Sequence, residues 1–352
     1  MIMKDQSTGN RYLVIGDLHF GEKSNSEKFN QQVISFLEWS VEYCKENDIN
    51  KVIQLGDWFH SRHKIDVSTL NYGVNGARIL SNHFGKDNVF VDLGNHDIHH
   101  LHRLDINSVQ PTMSDLVTVI DETTNIGDGI VITPWIIDEA QWESVVSLSS
   151  KKENRFLMAH LELNGFYVTD NYKMEHGYSH RELDDYEVVF TGHYHSMQTK
   201  DNILYTGTPY PITMSEANEE HGVFVFEPDE DLIELIPYEG VRVVSIPYTD
   251  IETLEEYDPA NTSVRIEFPD DLEDETLIKE YQETLHDLNF SEVKVKYTPK
   301  KVQELIDSDE EIEEVENIDQ AVLEFIRSAS TVEGIDKSIL ETYYKKALEG
   351  VE

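Results

Sequence analysis

Five short apolar runs between Tyr12 and Phe190 each stop abruptly at residues that can bind a metal or carry a proton. Tyr12-Leu13-Val14-Ile15 ends in Gly16-Asp17-Leu18-His19, and Val52-Ile53-Gln54-Leu55 ends in Gly56-Asp57-Trp58-Phe59-His60. Val89-Phe90-Val91-Asp92-Leu93 ends in Gly94-Asn95-His96-Asp97. Phe156-Leu157-Met158-Ala159 ends in His160, and Val188-Val189-Phe190-Thr191 ends in Gly192-His193-Tyr194-His195. Runs this short and this rich in Val, Ile and Phe read as strands buried on both faces. Between the first two, Phe29, Val33, Phe36, Leu37, Val41 and Cys44 predict a helix over residues 26–47, and a second is expected over 66–84. Strand–helix–strand units with short connections argue for a doubly wound parallel sheet covered by helices. Parallel strands share one C-terminal edge, and that edge is where such sheets bind ligands.

One such tip alone is an ordinary turn, since Gly, Asn and Asp are turn residues, and a lone histidine there is more often a satisfied core residue. Five tips converging on one edge are a different matter. Bringing together two aspartates, an asparagine and four or five histidines is costly in desolvation and repulsion unless cations are present. Two divalent ions resolve this, and Asp57, with two carboxylate oxygens, can bridge them. Mixed nitrogen and oxygen donors suit Mn²⁺, Fe or Zn²⁺ better than Ca²⁺ or thiophilic metals.

Further along, residues 116–120 and 130–136 read as two more strands, 139–148 as a helix, and 223–237 as a hairpin around Asp229. Near Val243 the pattern changes. Val264, Ile266 and Phe268 alternate, as do Val293, Val295 and Tyr297, while Leu277, Ile278, Tyr281, Leu285 and Leu288 between them have helical spacing. This predicts a small α+β unit with half-exposed strands. Residues 304–316 are strongly acidic and read as a linker. Ile318, Val322, Phe325 and Ile326, then Ile339, Leu340, Tyr343, Ala347 and Leu348, predict two amphipathic helices. The expected division is therefore 1–240, 241–300, a linker over 301–316, and a helical module over 317–352.

The formal net charge is −41, with 36 Asp and Glu against 11 Lys and Arg in residues 227–352. An acidic surface repels nucleic acid unless the charge is segregated or offset by cations. The excess is indeed weighted away from the five tips. Beside the tips stand Arg62-His63-Lys64 and His99-His100-Leu101-His102-Arg103, with Lys173 and Arg181 between His160 and His193. Arg62, Lys64, Arg103, Lys173 and Arg181 are candidate phosphate contacts; solvated loop charge is the plainer alternative. The single cysteine, Cys44, excludes an internal disulfide and reads as a small core residue. No apolar run approaches the ~20 residues of a membrane span, and the first residues lack a secretory-leader pattern. A cytoplasmic setting is expected, the host cytoplasm if the chain is phage-encoded.

The order Asp-x-His, Gly-Asp, Gly-Asn-His-Asp, His, Gly-His-x-His, from Asp17 to His195, resembles the calcineurin-like metallophosphoesterases. The resemblance implies an α/β fold: a two-sheet metallophosphoesterase sandwich flanked by helices. It implies one metal held by Asp17, His19, Asp57 and His195 and another by Asp57, Asn95, His160 and His193. His96 would be the proton donor to the leaving oxygen, oriented by Asp97. The Gly56-Asp57-Trp58-Phe59-His60 motif, the Tyr205-x-Gly207-Thr208-Pro209 stretch and Met214-Ser215-Glu216 are similar to the SbcD-type nuclease subunits of double-strand-break repair. The chain length and the stretch from His160 to Phe166 resemble the recombination endonuclease subunits of T-even-type bacteriophages.

That resemblance implies a DNA exonuclease (3′ to 5′) and endonuclease using two divalent ions, Mn²⁺ foremost, with Mg²⁺, Fe or Zn²⁺ as alternatives. His60 would place the DNA phosphate. It also implies an α+β capping domain, a homodimer pairing through early helices such as 66–84, and an SMC-like coiled-coil ATPase bound by the C-terminal helices. A stand-alone phosphoesterase acting on nucleotides, lipids or phosphoproteins would use the same five tips. A catalytically silent assembly subunit is disfavoured by an intact His96 and a full set of ligand positions.

Overall fold

The strand that leads into Asp17, Tyr12–Ile15, is fully buried, with Lys51–Gln54 parallel on one side and Gly222–Glu227 antiparallel on the other. The computed structural model describes residues 9–169, 172–269, 278, 281, 283–285 and 288–296. The first sheet runs in the order Leu232–Pro237, Gly222–Glu227, Tyr12–Ile15, Lys51–Gln54, Val89–Asp92 and Thr118–Ile120. Its last four strands are parallel. The second sheet runs Gln198–Lys200, Ile203–Tyr205, Val188–Gly192, Phe156–His160, Ile130–Thr133 and Thr124–Gly127, with the middle four parallel.

The two sheets pack face to face. Tyr12, Val14, Ile53 and Phe90 of the first meet Ile132, Phe156, Met158 and Phe190 of the second in a shared core. The alternate residues point outward. Leu13, Ile15, Val52 and Val91 pack under the helices Glu27–Glu46 and Val67–Phe84, through Phe29, Val33, Phe36, Ala77 and Leu80. On the far side Leu157, Ala159 and Val189 pack under the helix Glu139–Leu148, through Trp142 and Val145. Each strand thus buries both faces, and the molecule is layered helix, sheet, sheet, helix. The structure has the two-sheet sandwich flanked by helices that the family resemblance implied, in place of the single doubly wound sheet argued from the strand order alone. Fully apolar strands fit either arrangement, so the pattern alone did not separate them.

Helix ends follow local chemistry. The Ser26 hydroxyl accepts from the Phe29 amide, and the Asp138 carboxylate accepts from the Gln141 amide, so each satisfies a donor that a helix start leaves unpaired. Cys44 is buried on the inner face of its helix, and burial pushes its thiol up to about 12. After the hairpin, Arg242–Pro247, Thr262–Glu267 and Glu292–Lys296 form a three-stranded parallel sheet. Its first strand was not legible in the sequence, because Val243 and Val244 are both buried and break the alternation. Ile278, Tyr281 and Glu283–Leu285 are helical, as their spacing predicts. The linker expected over 301–316 and the helices expected over 318–327 and 339–348 lie outside the described residues. Among the described residues, no helix is long and apolar enough to cross a membrane.

Candidate metal centre

The five tips meet where the parallel ends of the two sheets come together. Asp17, Asp57 and Asn95 follow strands of the first sheet. His160 ends a strand of the second, and His193 follows its neighbour. Four contacts tie the two sets. The His193 amide donates to the Asp17 carboxylate at 3.1 Å, the His160 Nδ1 lies 2.7 Å from the Leu55 carbonyl, and the Asn95 Oδ1 lies 3.0 Å from both His160 Nε2 and His193 Nδ1.

The backbone pays for this crowding. His19, Asp57 and His193 sit at φ 53, 52 and 95°, in the left-handed region that L side chains avoid at a cost of about 1–2 kcal/mol each. Strain of this kind persists where the surroundings over-determine the conformation. The glycines preceding two of the tips make the approach sterically feasible: a Cβ on Gly94 would stand 2.1 Å from Asp57 Oδ1, and one on Gly192 would stand 2.3 Å from Asp17 Oδ1.

Donor separations fit shared cations. His19 Nε2 and His195 Nε2 are 3.1 Å apart, and the Asn95 contacts to both rings are 3.0 Å. Two ligands at right angles on an ion, each about 2.1 Å from it, stand about 3.0 Å apart. His160 Nε2 is 3.4 Å from Asp57 Oδ2, and His19 Nε2 is 3.8 Å from the same oxygen, so Asp57 lies between the two groups of donors. Asp17, His19 and His195 form one cluster of potential ligand atoms, and Asp17, Asp57 and His160 another.

The electrostatics point the same way. Burial pushes the Asp17 carboxyl up to about 7 against the pull of His160. Asp57 is also penalised by burial, but His160 and His19 outweigh that and hold it well below the usual carboxylate range. Burial drives the His19 ring well down and the His193 ring down to about 3. His160 would follow, yet Asp57 and Asp17 hold it up at about 10. A buried site with this acid content is short of positive charge.

The other nitrogens of the second-sheet imidazoles also face acceptors. His160 Nδ1 faces the Leu55 carbonyl, His193 Nε2 lies 3.7 Å from Glu162 Oε2, and His195 Nδ1 lies 3.7 Å from Glu216 Oε1. Metal-binding histidines characteristically have such partners, which fix the tautomer and aim the other nitrogen. Glu216 is buried and held by the Ile212 amide at 2.7 Å and the Thr213 hydroxyl at 2.9 Å. Burial raises its pKa, but His195 and these donors bring it below the ordinary value. Sequence reasoning quoted Met214-Ser215-Glu216 without giving Glu216 a role. The signal present was Thr213-x-x-Glu216, a capping box, which the structure contains.

Beside the donors stand His96 and His60. The His96 ring lies 5.1 Å from that of His19 and 5.4 Å from that of His60. Its Nδ1 abuts the His60 carbonyl, so it donates there and leaves Nε2 as the working nitrogen. Asp97, expected to orient His96, accepts from the backbone amides of Gly94, Phe59 and Trp58 at 3.0, 3.1 and 3.3 Å. It locks the turn that carries His96 onto the loop that carries His60, and acts on the ring only through the backbone. His60 Nδ1 lies 2.5 Å from Glu22 Oε2. Glu22 was missed, since one more acid in an acidic chain carries no signal. Burial raises its pKa, and the His60 contact more than reverses that.

The expected phosphate contacts divide. Arg103 is bound by both nitrogens of its fork to Asp105, at 2.9 and 2.6 Å, in an exposed ion pair. Lys64 comes within 4.0 Å of Asp66, Lys173 lies over the Tyr167 ring, and both are exposed, as is Arg181. Arg62 is half-buried.

No family model matches the chain. Among solved structures, a dimetal phosphatase from Danio rerio is similar, with a TM-score of 0.40 and 12% identity over 64% of this chain and 98% of that one. Among curated proteins, exonuclease subunit 1 of Enterobacteria phage T4 is 27% identical over 342 residues, which is 95% of this chain and 97% of that protein. The chain, with its two-sheet sandwich and the polar strand-end residues from Asp17 to His195, is similar to that phage exonuclease subunit along nearly its whole length.

Proposed function

We propose that the chain is a metal-dependent DNA nuclease subunit, an exonuclease and endonuclease that hydrolyses phosphodiesters. The observation that carries this reading is the meeting of donors from both sheets around Asp57, with His96 at the edge of the cluster. One ion would be held by Asp17, His19, Asp57 and His195, the other by Asp57, Asn95, His160 and His193. When bound, two divalent ions supply an activated water and charge neutralisation for an in-line displacement; the donor set favours Mn²⁺. The chain's own residues do the rest. His96 delivers a proton from Nε2 to the leaving oxygen. His60, anchored by Glu22, faces the entering phosphate. Asp97 keeps the two loops in register.

The similarity to a phage exonuclease subunit supports DNA as the substrate and a partner subunit as part of the working assembly. An SMC-like ATPase docked by the helices expected after residue 317, a capping role for the sheet that starts at Arg242, and a homodimer through the helix Val67–Phe84 complete the proposal. The acid-rich composition fits a chain that leaves most of its DNA grip to its partner.

The test is Mn²⁺-dependent digestion of end-labelled duplex DNA by wild type and His96→Ala. Loss of a positioned general acid is expected to slow cleavage by about 10²- to 10⁴-fold. Turnover of a small phosphodiester with no DNA cleavage, with or without the ATPase, would instead assign the chain to stand-alone phosphoesterases.

A further inference from the structure

Against the metal centre, on the side of the second sheet, lies a cavity of about 150 Å³ lined by Trp135, Ile136, His160, Leu161, Glu162 and Tyr178. We propose that it receives the nucleobase of the nucleotide whose phosphate is cleaved; this rests on the DNA-cleaving reading above. The geometry argues for it in three ways.

The cavity and the metal centre share a wall. His160 presents Nε2 to Asn95 and Asp57 and also lines the cavity. A ligand with its phosphate among the donors therefore has the cavity within reach of its next chemical group, and in a nucleotide that is the sugar and its base.

Two of the lining residues carry aromatic rings that are already fixed. The Trp135 ring packs 5.3 Å from that of His193 and 6.0 Å from that of His160, and its backbone amide donates to the Leu93 carbonyl at 2.8 Å. Tyr178 stacks on Trp142 at 4.3 Å and 19°, and the Trp142 indole donates to Glu182 at 3.1 Å. Both Trp135 and Tyr178 are half-buried, so their rings border solvent. Rings held this way lose little freedom when a flat ligand stacks on them.

The chemistry of the lining is that of a small-molecule site: mostly apolar, with a polar group at the edge. Glu162 offers a carboxylate to exocyclic amino groups. Stacking also accepts every base, which suits an enzyme that must act at any end sequence, and it strengthens binding by roughly five- to hundredfold per base.

The experiment is calorimetric titration of the full chain, loaded with Mn²⁺, with 2′-deoxyadenosine 5′-monophosphate and with 2-deoxyribose 5-phosphate. The nucleotide is expected to bind roughly tenfold or more tightly than the sugar phosphate. Tyr178→Ala should bring that ratio toward one with the sugar phosphate unchanged, while Tyr178→Phe keeps it. Equal binding of the two ligands by wild type would overturn the proposal whatever the variants do, as would an unchanged ratio in a folded Tyr178→Ala protein. DNA cleavage is scored separately: a nucleotide preference without cleavage keeps the base site and removes the nuclease reading, and cleavage without preference does the reverse.

Discussion

The two sheets contribute unlike halves to one site. The first supplies the acids, Asp17 and Asp57, with Asn95 and His19, and holds them by backbone geometry: left-handed residues, glycine approaches, and amide bonds to the carboxylates. The second supplies only imidazoles, whose other nitrogens face acceptors: the Leu55 carbonyl 2.7 Å from His160, and Glu162 and Glu216 each 3.7 Å from His193 and His195. A carboxylate accepts along several directions, so fixing its main chain suffices. A neutral imidazole has one lone pair in the ring plane, and its aim depends on which nitrogen keeps the proton. The charge of the site therefore resides in one sheet and its directional precision in the other.

Perturbing the shared acid should have the largest effect. Asp57→Asn is expected to abolish Mn²⁺-dependent hydrolysis and to leave the protein with fewer than two bound ions, read by metal analysis after desalting. Retention of both ions would show that Asp57 does not join the halves. The corresponding perturbation on the second sheet is milder. Glu216→Gln keeps the shape of the buried side chain but takes its charge away from His195, and should weaken metal affinity by about 10- to 100-fold, with folding intact. A change confined to thermal stability, with titrated affinity unmoved, would reduce Glu216 to a cap of its short helix.

The smallest effect concerns Asp92, the acid of the first sheet that is not among the donors. It is fully buried, with no hydrogen-bond partner on either oxygen, and burial raises its pKa well above the ordinary value. The folded chain therefore holds this proton to a higher pH than the unfolded chain does. Stability from this group is intact below about pH 3.9 and declines as pH rises toward the folded value. In metal-free protein, Asp92→Asn should raise the melting temperature more at pH 8 than at pH 5. A pH-independent difference would mean that the Asp92 carboxyl does not titrate differently on folding.

The site was legible from its donors because each follows an apolar run, and strand periodicity says where such a run ends. Asp17, Asp57, Asn95, His160 and His193 all stand where that reasoning put them. What failed did so for physical reasons. Strands buried on both faces look alike in one sheet or two. Val243 and Val244, adjacent and both buried, hide a strand. Glu22 and Glu162 gain meaning only from what stands 2.5 and 3.7 Å away.

The sequence by itself determined which atoms can bind cations, and that they sit at strand ends, because side-chain chemistry and hydrophobic period are local properties. Only the tertiary structure decided that both acids, with His19, come from one sheet and His160, His193 and His195 from the other. It also decided which carbonyl or carboxylate faces each imidazole, and that an aromatic cavity adjoins His160. Those are distances between residues far apart in the chain, and nothing local encodes them.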